Sequence, residues 1–283
     1  MECKTHMGFK MTLAGDQGSG KSTVAAILLD LTKATYYSTG SLYRAVAAKM
    51  GMDIADFNLY AETHPETDFE IDNALVTLSE DERDLVIDSR MAWHFVRGNF
   101  PVFLFCDMRE AASRILHAGR ATESFSSLEE ALDRVRVRRE SEIRRYYDLY
   151  KVNIKDPKNY ALLLDTTHAT PEQVAEKIVY AFQRWQEDSS VVLRFICPTT
   201  PLYPDDEADG EEVQRRVAML ERGEEIPPAH IFFEDGVYYL TGNVESALAY
   251  ALCDIPHMPF VFSEALPSDE NLKYVKMENL FSC

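Results

Sequence analysis

The chain has 283 residues, of which 46% are hydrophobic and 27% are charged, and its formal net charge at pH 7 is −18. No apolar run reaches the roughly 18 residues that a membrane-spanning helix needs, and we expect no secretory signal at the start, which lacks an apolar core. A surface this acidic repels the phosphate backbone of DNA and RNA. The composition therefore predicts a globular protein whose partners include neither a membrane nor a polymeric nucleic acid.

The five cysteines, Cys3, Cys106, Cys197, Cys253 and Cys283, are odd in number, far apart and in no Cys-x-x-Cys pair. This spacing argues against a disulfide framework and against a zinc site. We therefore expect reduced thiols and a cytoplasmic location.

The first 190 residues alternate between strand and helix patterns. Short apolar runs predict strands at residues 9–14, 84–88, 102–106 and 161–165. Helical spacing of apolar residues predicts helices at 23–33 and at 171–187, the second opened by a proline. Strands that alternate with helices predict an α/β fold, in which helices cover both faces of a mainly parallel sheet.

A long helix is predicted between the third and fourth of these strands, over residues 127–151, and it is rich in arginine. Six arginines fall within twelve residues: Arg134, Arg136, Arg138, Arg139, Arg144 and Arg145. One interpretation is a solvated helix with Glu–Arg pairs four residues apart, for which Glu130, Glu140 and Glu142 are available. The other is a lid that closes over phosphates.

Residues 191–283 differ from the rest in composition. They contain 6 basic and 17 acidic residues. Strand patterns at 191–197, 229–234, 237–240 and 257–262 alternate with helical patterns at 211–222 and 243–252, and Asp235-Gly236 predicts a hairpin turn. We therefore predict a boundary near residue 190 and a small acidic α+β domain after it.

A phosphate-binding loop follows the first strand. Gly15-Asp-Gln-Gly-Ser-Gly-Lys21-Ser22 fits the pattern G-x-x-x-x-G-K-[ST] between a strand and a helix. In such a loop, backbone N–H groups and the helix start hold the phosphates of ATP, the lysine contacts the β- and γ-phosphates, and the serine hydroxyl binds Mg²⁺. The predicted ATP-binding residues are Gly15, Gly18, Ser19, Gly20, Lys21, Ser22 and Thr23.

The loop alone does not define a reaction, because GTPases, ATPases and small-molecule kinases share it. The sequence lacks the Asn-Lys-x-Asp motif with which GTPases bind the base. Asp88 ends the second predicted strand, where it would hold Mg²⁺ through a water molecule. The alternative interpretation of Asp88 is a cap at the end of the strand.

Several further stretches resemble the cytidylate kinases, in particular their compact archaeal branch. They are Tyr36-Tyr-Ser-Thr-Gly-Ser-Leu-Tyr-Arg44, Val86-Ile-Asp-Ser-Arg90, the arginine-rich stretch that continues to Asp156, and Leu163-Leu-Asp-Thr-Thr167. The resemblance covers residues 8–187 and implies a P-loop nucleoside-monophosphate kinase that uses ATP and Mg²⁺, with CMP or dCMP as acceptor.

The resemblance also implies roles for individual residues. Arg44 and Arg90 would grip the α-phosphate of the acceptor, and Arg139 with Arg144 or Arg145 would span the phosphates of both substrates. The implied catalytic set is Lys21, Arg139, Arg144, Arg145 and Asp88. The implied acceptor-binding set is Ser38, Thr39, Gly40, Tyr43, Arg44 and Arg90. Tyr43 either stacks on a base or packs in the interior.

Three positions depart from the family pattern or need explanation. Ala111 stands where relatives carry an arginine, so that only Arg114 remains of a usual pair, and Ala161 replaces an aspartate that helps to hold the acceptor nucleoside. Asp156 or Asn159 are candidates to substitute for this aspartate. Asp16 lies inside the phosphate loop, where we expect an acid to point away from phosphates.

Residues 191–283 bear a fainter resemblance to the ParB/sulfiredoxin-type fold, carried by Leu220-Glu-Arg-Gly-Glu-Glu-Ile-Pro-Pro-Ala-His230 and by Asp235-Gly-Val-Tyr-Tyr-Leu-Thr-Gly242. The His and Arg that would follow this glycine are absent, so the resemblance implies an accessory domain that regulates, binds a protein partner or dimerises. We expect His230 and His257 to be packing or surface residues.

Three functions remain open at this point. The first is a nucleoside-monophosphate kinase, the second is a P-loop kinase of another small metabolite, and the third is an ATP-binding regulatory protein that transfers no phosphoryl group.

Overall fold

The computed structural model of the chain describes residues 8–52, 57, 60, 63–64, 66–117, 125, 127–205, 208–266 and 273–277. Cys3 and Cys283 lie outside these residues, and Cys106, Cys197 and Cys253 are free thiols. None of the helices in the described ranges combines the length and the apolar character that crossing a membrane would require.

The strands in chain order are β1 (Lys10–Gly15), β2 (Thr35–Ser38), β3 (Leu85–Asp88), β4 (Asn99–Phe105), β5 (Leu162–Asp165), β6 (Leu193–Ile196), β7 (Tyr203–Pro204), β8 (Ala229–Glu234), β9 (Val237–Gly242), β10 (Met258–Phe262) and β11 (Tyr274–Val275). The helices are α1 (Lys21–Thr32), α2 (Thr39–Lys49), α3 (Glu66–Thr77), α4 (Ala92–Phe95), α5 (Met108–His117), α6 (Leu128–Tyr150), α7 (Pro171–Glu187), α8 (Gly210–Glu221) and α9 (Val244–Leu252).

The main sheet has the strand order β2-β3-β1-β4-β5-β6-β10-β8-β9 among the described residues. The six strands from β2 to β6 run parallel. Ser38 lies opposite Asp88, Gly15 opposite Leu104, and Phe105 opposite Asp165. The carboxyl ends of these strands therefore meet at one edge of the sheet, which is where parallel α/β sheets bind ligands.

Alternate residues of β4 divide the interior into two cores, because successive side chains of a strand point to opposite faces. Phe100, Val102 and Leu104 pack with α1 and α7 on one face. Phe103 and Phe105 belong to the core on the other face, together with buried residues of the C-terminal segment. These partners include Tyr203, Val213, Ile231, Leu240, Leu248, Met258 and Phe260.

The helix boundaries follow from local sequence. Thr170 and Gln173 form a capping box at the start of α7, where Pro171 occupies the first turn. Ser127 caps α6 by accepting a hydrogen bond from the N–H of Glu130. Each cap satisfies backbone donors that would otherwise lack partners at the helix start.

The predicted α/β fold is confirmed. β1, β3, β4 and β5 fall on the four predicted strands within a few residues, and α7 has the predicted bounds. The sequence analysis missed β2, which lies at the edge of the sheet. Its tyrosines, Tyr36 and Tyr37, are not buried, so the strand has no apolar pattern.

The C-terminal segment has the predicted elements, including the hairpin of β8 and β9 around Asp235-Gly236. They extend the same sheet, because β6 pairs parallel to β5 and β10 pairs antiparallel to β6. Asn243 occupies the N-cap position of α9, but its side chain donates to the carbonyl of Pro228 (2.7 Å) and does not cap the helix. The division into two folding units near residue 190 stays a prediction.

We expect Ile231→Ala to destabilise the whole chain, because Ile231 is fully buried in the core that both segments share. Truncating such a side chain costs about 2–5 kcal/mol of the free energy of unfolding. Trp93 and Trp185 are the two tryptophans of the chain, and both precede residue 190. Thermal unfolding followed by tryptophan fluorescence should therefore shift to a lower midpoint.

The matched control is Val261→Ala on the neighbouring strand, since Val261 is 38% exposed. It should move the midpoint little. An unchanged fluorescence midpoint in Ile231→Ala, with loss of structure confined to residues 191–283, would contradict a shared core.

Candidate active site at the carboxyl edge of the sheet

The loop between β1 and α1 has the backbone of a phosphate cradle. Gly15, Gly18 and Gly20 have φ values of 144°, 73° and 78°, a region that favours glycine. A Cβ atom on Gly15 would overlap the backbone of Leu104, and one on Gly18 would lie 2.6 Å from the carbonyl oxygen of Ala111. The loop therefore needs glycine for its conformation and for its contact with β4 and α5.

Lys21 opens α1 and turns back into the loop. Its Nζ donates hydrogen bonds to the carbonyl oxygens of Gly15 (3.0 Å) and Asp16 (2.6 Å). Burial lowers the pKa of Lys21 to about 7, and the charge of Arg90 acts in the same direction, while Asp88 opposes it. These interactions place Lys21, Arg90 and Asp88 close together at the carboxyl edge.

Two predicted Mg²⁺ residues lie at the same edge. Asp88 ends β3, beside β1, and its Oδ2 accepts a hydrogen bond from the hydroxyl of Tyr36 (3.1 Å). Ser22 is exposed at the start of α1. The hydroxyl of Ser22 and the carboxylate of Asp88 would leave most coordination positions of Mg²⁺ to water molecules and phosphate oxygens. This is the usual way in which proteins hold Mg²⁺ beside nucleotides. The residues present therefore fit ATP·Mg²⁺.

Helix α6 contacts the phosphate loop through Asp16. The Nη2 of Arg139 lies 2.7 Å from Oδ2 of Asp16, and Nζ of Lys155 contacts the other oxygen. Asp16 is only 6% exposed. Asp16, the acidic residue of the phosphate loop, is thus paired with two basic side chains. Both lie beside the loop that would hold the phosphates of ATP.

Arg90 joins the end of β3 to the loop and to α6. Its Nη1 donates to the carbonyl oxygen of Gly15, and its Nε lies 2.9 Å from Oε2 of Glu142. Arg138 also pairs with Glu142, at 3.3 Å. Burial alone would raise the pKa of Glu142, but the charges of Arg90 and Arg138 hold it below its usual value. Glu142 therefore stays charged and orients Arg90.

Arg144 and Arg145 separate on the two faces of α6. Arg144 is exposed. Arg145 turns inward, where it contacts Asp68 and lies 2.8 Å from the hydroxyl of Tyr43. The hydroxyl of Tyr43 also donates to Asp68, so Tyr43 packs into a polar cluster with these two residues. Of the two alternatives, Arg145 is the one that faces the interior.

The turn from β2 to α2 holds the remaining acceptor-side residues. Ser38 precedes α2, Thr39 is buried with its hydroxyl 3.4 Å from the carbonyl of Asp88, and Gly40 follows. Arg44 lies on the exposed side of α2, where it donates to the hydroxyl of Ser41 (3.1 Å). The structure therefore brings Arg90 to the phosphate loop and leaves Arg44 in solvent at the rim.

The departures from the family pattern have structural explanations. Ala111 is fully buried, and its backbone packs against Gly18. Arg114 donates to the carbonyls of Thr166 (2.7 Å) and Thr167 (2.8 Å), so it ties α5 to the end of β5. This contact fixes two of the loops that flank the phosphate cradle.

Both candidates to substitute for the aspartate that Ala161 replaces make local hydrogen bonds. Asp156 accepts from the N–H of Lys158 (3.0 Å), and Asn159 donates to the carbonyl of Asn153 (2.8 Å). Both side chains are engaged in a local turn. Ala161 itself is 8% exposed and belongs to the core of the sheet.

Sequence reasoning missed three residues of the site. Lys155 is a single cation in a loop after α6, Glu142 is one of several acids on that helix, and Asp68 lies on α3, a helix that the sequence analysis did not predict. No short motif marks any of them. The Arg–Glu spacing of Arg138 and Glu142 indicated an ion pair but not the contact with Arg90.

The C-terminal hairpin lies beside the site. Gly236 at its tip is near Met108 of α5, and the ring of Tyr238 packs on Phe105 at 5.1 Å. Asp165 at the end of β5 accepts a hydrogen bond from the N–H of Cys197 (3.0 Å) and has its carbonyl 2.9 Å from Nε2 of His257. His257 is buried, as a packing residue would be. The C-terminal segment thus supports the ends of β4 and β5.

Comparison with known proteins agrees with this geometry. A family model described as an AAA domain matches residues 11–133. The cytidylate kinase of Thermoplasma volcanium is 35% identical over 170 residues, which make up 59% of this chain and 87% of that protein. For the cytidylate kinases of Thermoplasma acidophilum and Archaeoglobus fulgidus, the identity is 33% over 184 and 175 residues, covering 64% and 62% of this chain and 94% of each relative.

The fold and the site define a P-loop kinase, an enzyme that uses ATP and Mg²⁺. The relatives extend this conclusion, because each is matched over most of its length. The chain belongs to the cytidylate kinase family. The kinase resemblance seen in the sequence is confirmed. The ParB/sulfiredoxin-type resemblance of residues 191–283 receives no support from these comparisons.

We expect Asp16→Asn to have two opposite effects. Removing one partner from a buried charged contact should lower the free energy of unfolding of the ligand-free protein by about 1–3 kcal/mol. Arg139 would lose its carboxylate but keep its charge, so ATP·Mg²⁺ should raise the melting temperature more than it does in the wild type. Thermal shift measurements with and without ATP·Mg²⁺ test both effects.

Asp133→Asn is the control, because Asp133 forms an exposed pair with Arg136 on the same helix. Exposed ion pairs contribute little to the free energy of unfolding. The melting temperatures of this variant with and without ATP·Mg²⁺ should therefore stay near those of the wild type. A smaller ATP-induced shift in Asp16→Asn than in the wild type would show that Asp16 assists ATP directly.

Proposed function

We propose that this chain transfers the γ-phosphoryl group of ATP to a pyrimidine nucleoside monophosphate, CMP or dCMP, giving ADP and the nucleoside diphosphate. The observation that carries the proposal is the approach of Arg90, which follows β3, and of Arg139 of α6 to the phosphate loop. The cytidylate kinases matched over most of their length support the same acceptor.

Two phosphate-bearing substrates must approach each other for this reaction, so negative charge must be neutralised on both sides. Lys21 and the backbone of Gly15 to Ser22 would hold the donor phosphates. Arg90, oriented by Glu142 and the carbonyl of Gly15, would bind the acceptor phosphate. Arg139 and Lys155, which flank the loop at Asp16, would stabilise charge between the two.

Catalysis by such a site consists of positioning and charge stabilisation. Reactants held in line behave as one molecule, and preorganised cations stabilise the charge of the transferring group without reorganisation. A bound Mg²⁺ supplies further positive charge to the donor phosphates. No side chain need form a covalent intermediate. Helix α6, which already contacts the loop, would exclude water and so limit wasteful hydrolysis of ATP.

We expect CMP or dCMP to give the highest turnover in a coupled ADP-release assay with ATP·Mg²⁺ and a panel of CMP, dCMP, UMP, AMP and GMP. Lys21→Ala should lower kcat/KM by roughly 10²- to 10³-fold, as the loss of one preorganised donor typically does. ATP binding without turnover of any nucleotide would contradict the proposal and favour a different acceptor or a regulatory role.

The acceptor side is tested by Arg90→Ala. We expect the KM for the acceptor to rise roughly 10-fold or more, as loss of a charge-assisted contact predicts, while the Kd for ATP changes little. Arg83→Ala is the control, because the guanidinium of Arg83 is exposed and pairs only locally with Asp81. Equal loss of acceptor and ATP binding would contradict the assignment of Arg90 to the acceptor.

A further inference from the structure

The C-terminal hairpin of β8 and β9 reaches the elements that hold the arginine-rich helix α6. A Cβ atom on Gly236, at the tip of the hairpin, would lie 3.7 Å from Cε of Met108. Met108 is the first residue of α5 and packs against a buried cluster that includes Ala131 and Val135 of α6. The tip of the hairpin therefore contacts the joint between α5 and α6.

Tyr238 fixes the hairpin at the end of β4. Its ring packs on Phe105 at 5.1 Å and on Phe233 of the facing strand at 4.6 Å. Its carbonyl oxygen accepts a hydrogen bond from the N–H of Leu202 at 2.8 Å. Contacts from β4, from β8 and from the chain before β7 thus hold Tyr238 at the carboxyl edge of the sheet, where the phosphate loop also lies.

Tyr238 and Arg139 act on each other at this edge. Burial raises the pKa of Tyr238 above its usual range, and the charge of Asp165 acts in the same direction, while the charge of Arg139 opposes it. Burial lowers the pKa of Arg139, and Tyr238 opposes this shift more strongly than Cys106 or Asp107 does. A neutral phenol therefore lies near the guanidinium that approaches the phosphate loop.

Asp16 attracts Arg139 but does not alone define the direction of its guanidinium. Nη2 of Arg139 is 2.7 Å from Oδ2 of Asp16, yet within the described residues it is a buried atom without a well-directed hydrogen bond. Hydrogen bonds fix a direction through their geometry, whereas attraction between charges fixes only proximity. The direction of the guanidinium is therefore left to its other neighbours.

A tyrosine suits the task of directing this guanidinium, because it does not compete with phosphate. A second carboxylate beside Arg139 would take up the charge that a transferring phosphoryl group needs. A neutral hydroxyl can accept a hydrogen bond from the guanidinium and leave its charge available. Burial keeps the phenol of Tyr238 in this neutral form, since burial disfavours the phenolate.

We propose that Tyr238 is a positioning residue that directs Arg139 toward the phosphate loop, so that the C-terminal hairpin forms part of the kinase site. The inference rests on the proposed function, in which Arg139 stabilises charge between the two substrates. It assigns a role to residues 229–242, which lie beyond the resemblance to cytidylate kinases at residues 8–187. The hairpin then does more than fill the core under β4 and β5.

Packing alone is the alternative role of Tyr238. Removing its hydroxyl would then change stability at most, and the effect would be the same with or without Arg139. Positioning predicts a lower kcat with little change in KM, because Arg139 would lose an interaction that matters in the transition state. The value of kcat and its dependence on Arg139 therefore distinguish the two roles.

The first test is Tyr238→Phe, which keeps the ring on Phe105 and removes only the hydroxyl. We expect kcat with ATP·Mg²⁺ and CMP to fall roughly 10-fold, as loss of a hydrogen bond to a charged group implies, while each KM changes less than about 3-fold. Tyr239→Phe is the matched control, because neighbouring side chains of a strand point to opposite faces and Tyr239 packs on Tyr274. It should keep the wild-type kcat.

The second test repeats Tyr238→Phe in an Arg139→Ala background. Because Tyr238 acts only through Arg139, the additional loss of kcat should be less than about 2-fold. A wild-type kcat in Tyr238→Phe, or the same loss with and without Arg139, would overturn the inference and leave the proposed function intact. No turnover of any nucleotide by the wild type would overturn the proposed function, and the inference with it.

Hydrogen exchange of the wild type provides a test that needs no variant. Coupling between two sites is reciprocal, so ATP·Mg²⁺ should slow amide exchange in residues 229–242 by about 2-fold or more. Helix α8 is the control region, because its Arg216 contacts Ser246 of α9 instead, and its exchange should not change. Protection of the phosphate loop without any change in residues 229–242 would overturn the inference, even if Tyr238→Phe does not fold.

Discussion

The contact of Asp16 with Arg139 and Lys155 couples the phosphate loop to helix α6. It places two basic side chains, carried by different parts of the chain, beside the phosphate loop. The acid prevents these cations from repelling each other and Lys21. A phosphate that enters the site can take over the same interactions. The buried carboxylate of Asp16 thus holds Arg139 and Lys155 beside the phosphate loop before a nucleotide binds.

The sheet makes this arrangement possible. Because β2, β3, β1, β4 and β5 run parallel and in register, Ser38, Asp88, Gly15 and Asp165 reach the same edge. The C-terminal segment continues the sheet and fills the core under Phe103 and Phe105. The C-terminal segment and the site therefore share one sheet and one core. Changes in the segment should reach the ends of β4 and β5 through packing.

Much of the fold was predictable from the sequence, because the patterns that specify it are local. Apolar runs such as residues 102–106 predict buried parallel strands, and the glycines with Lys21 predict the cradle through backbone conformation alone. The arginine-rich helix and Arg90 were found through composition and resemblance. Each of these features can be recognised within a short window of the chain.

The missed features depend on contacts between residues distant in sequence. Asp68 and Arg145 are 77 residues apart, and Lys155 is 139 residues from Asp16. Nothing in the neighbourhood of Asp68 distinguishes it from the other acids of an acidic chain. Likewise, the edge strand β2 lacks buried side chains, and the pairing of β6 with β5 depends on the tertiary fold rather than on an apolar pattern. Residue types indicated the chemistry, whereas the pairing of charges required the structure.

Phosphoryl transfer between two nucleotides requires one site that accommodates the donor and the acceptor at once. The most direct test is the affinity of the wild-type protein for cytidine and adenosine joined through a pentaphosphate, measured by calorimetry against ATP alone and CMP alone. We predict that the joined ligand binds roughly 10²-fold or more tightly than either nucleotide, and that each of them displaces it. A joined ligand that binds no more tightly than ATP would contradict it.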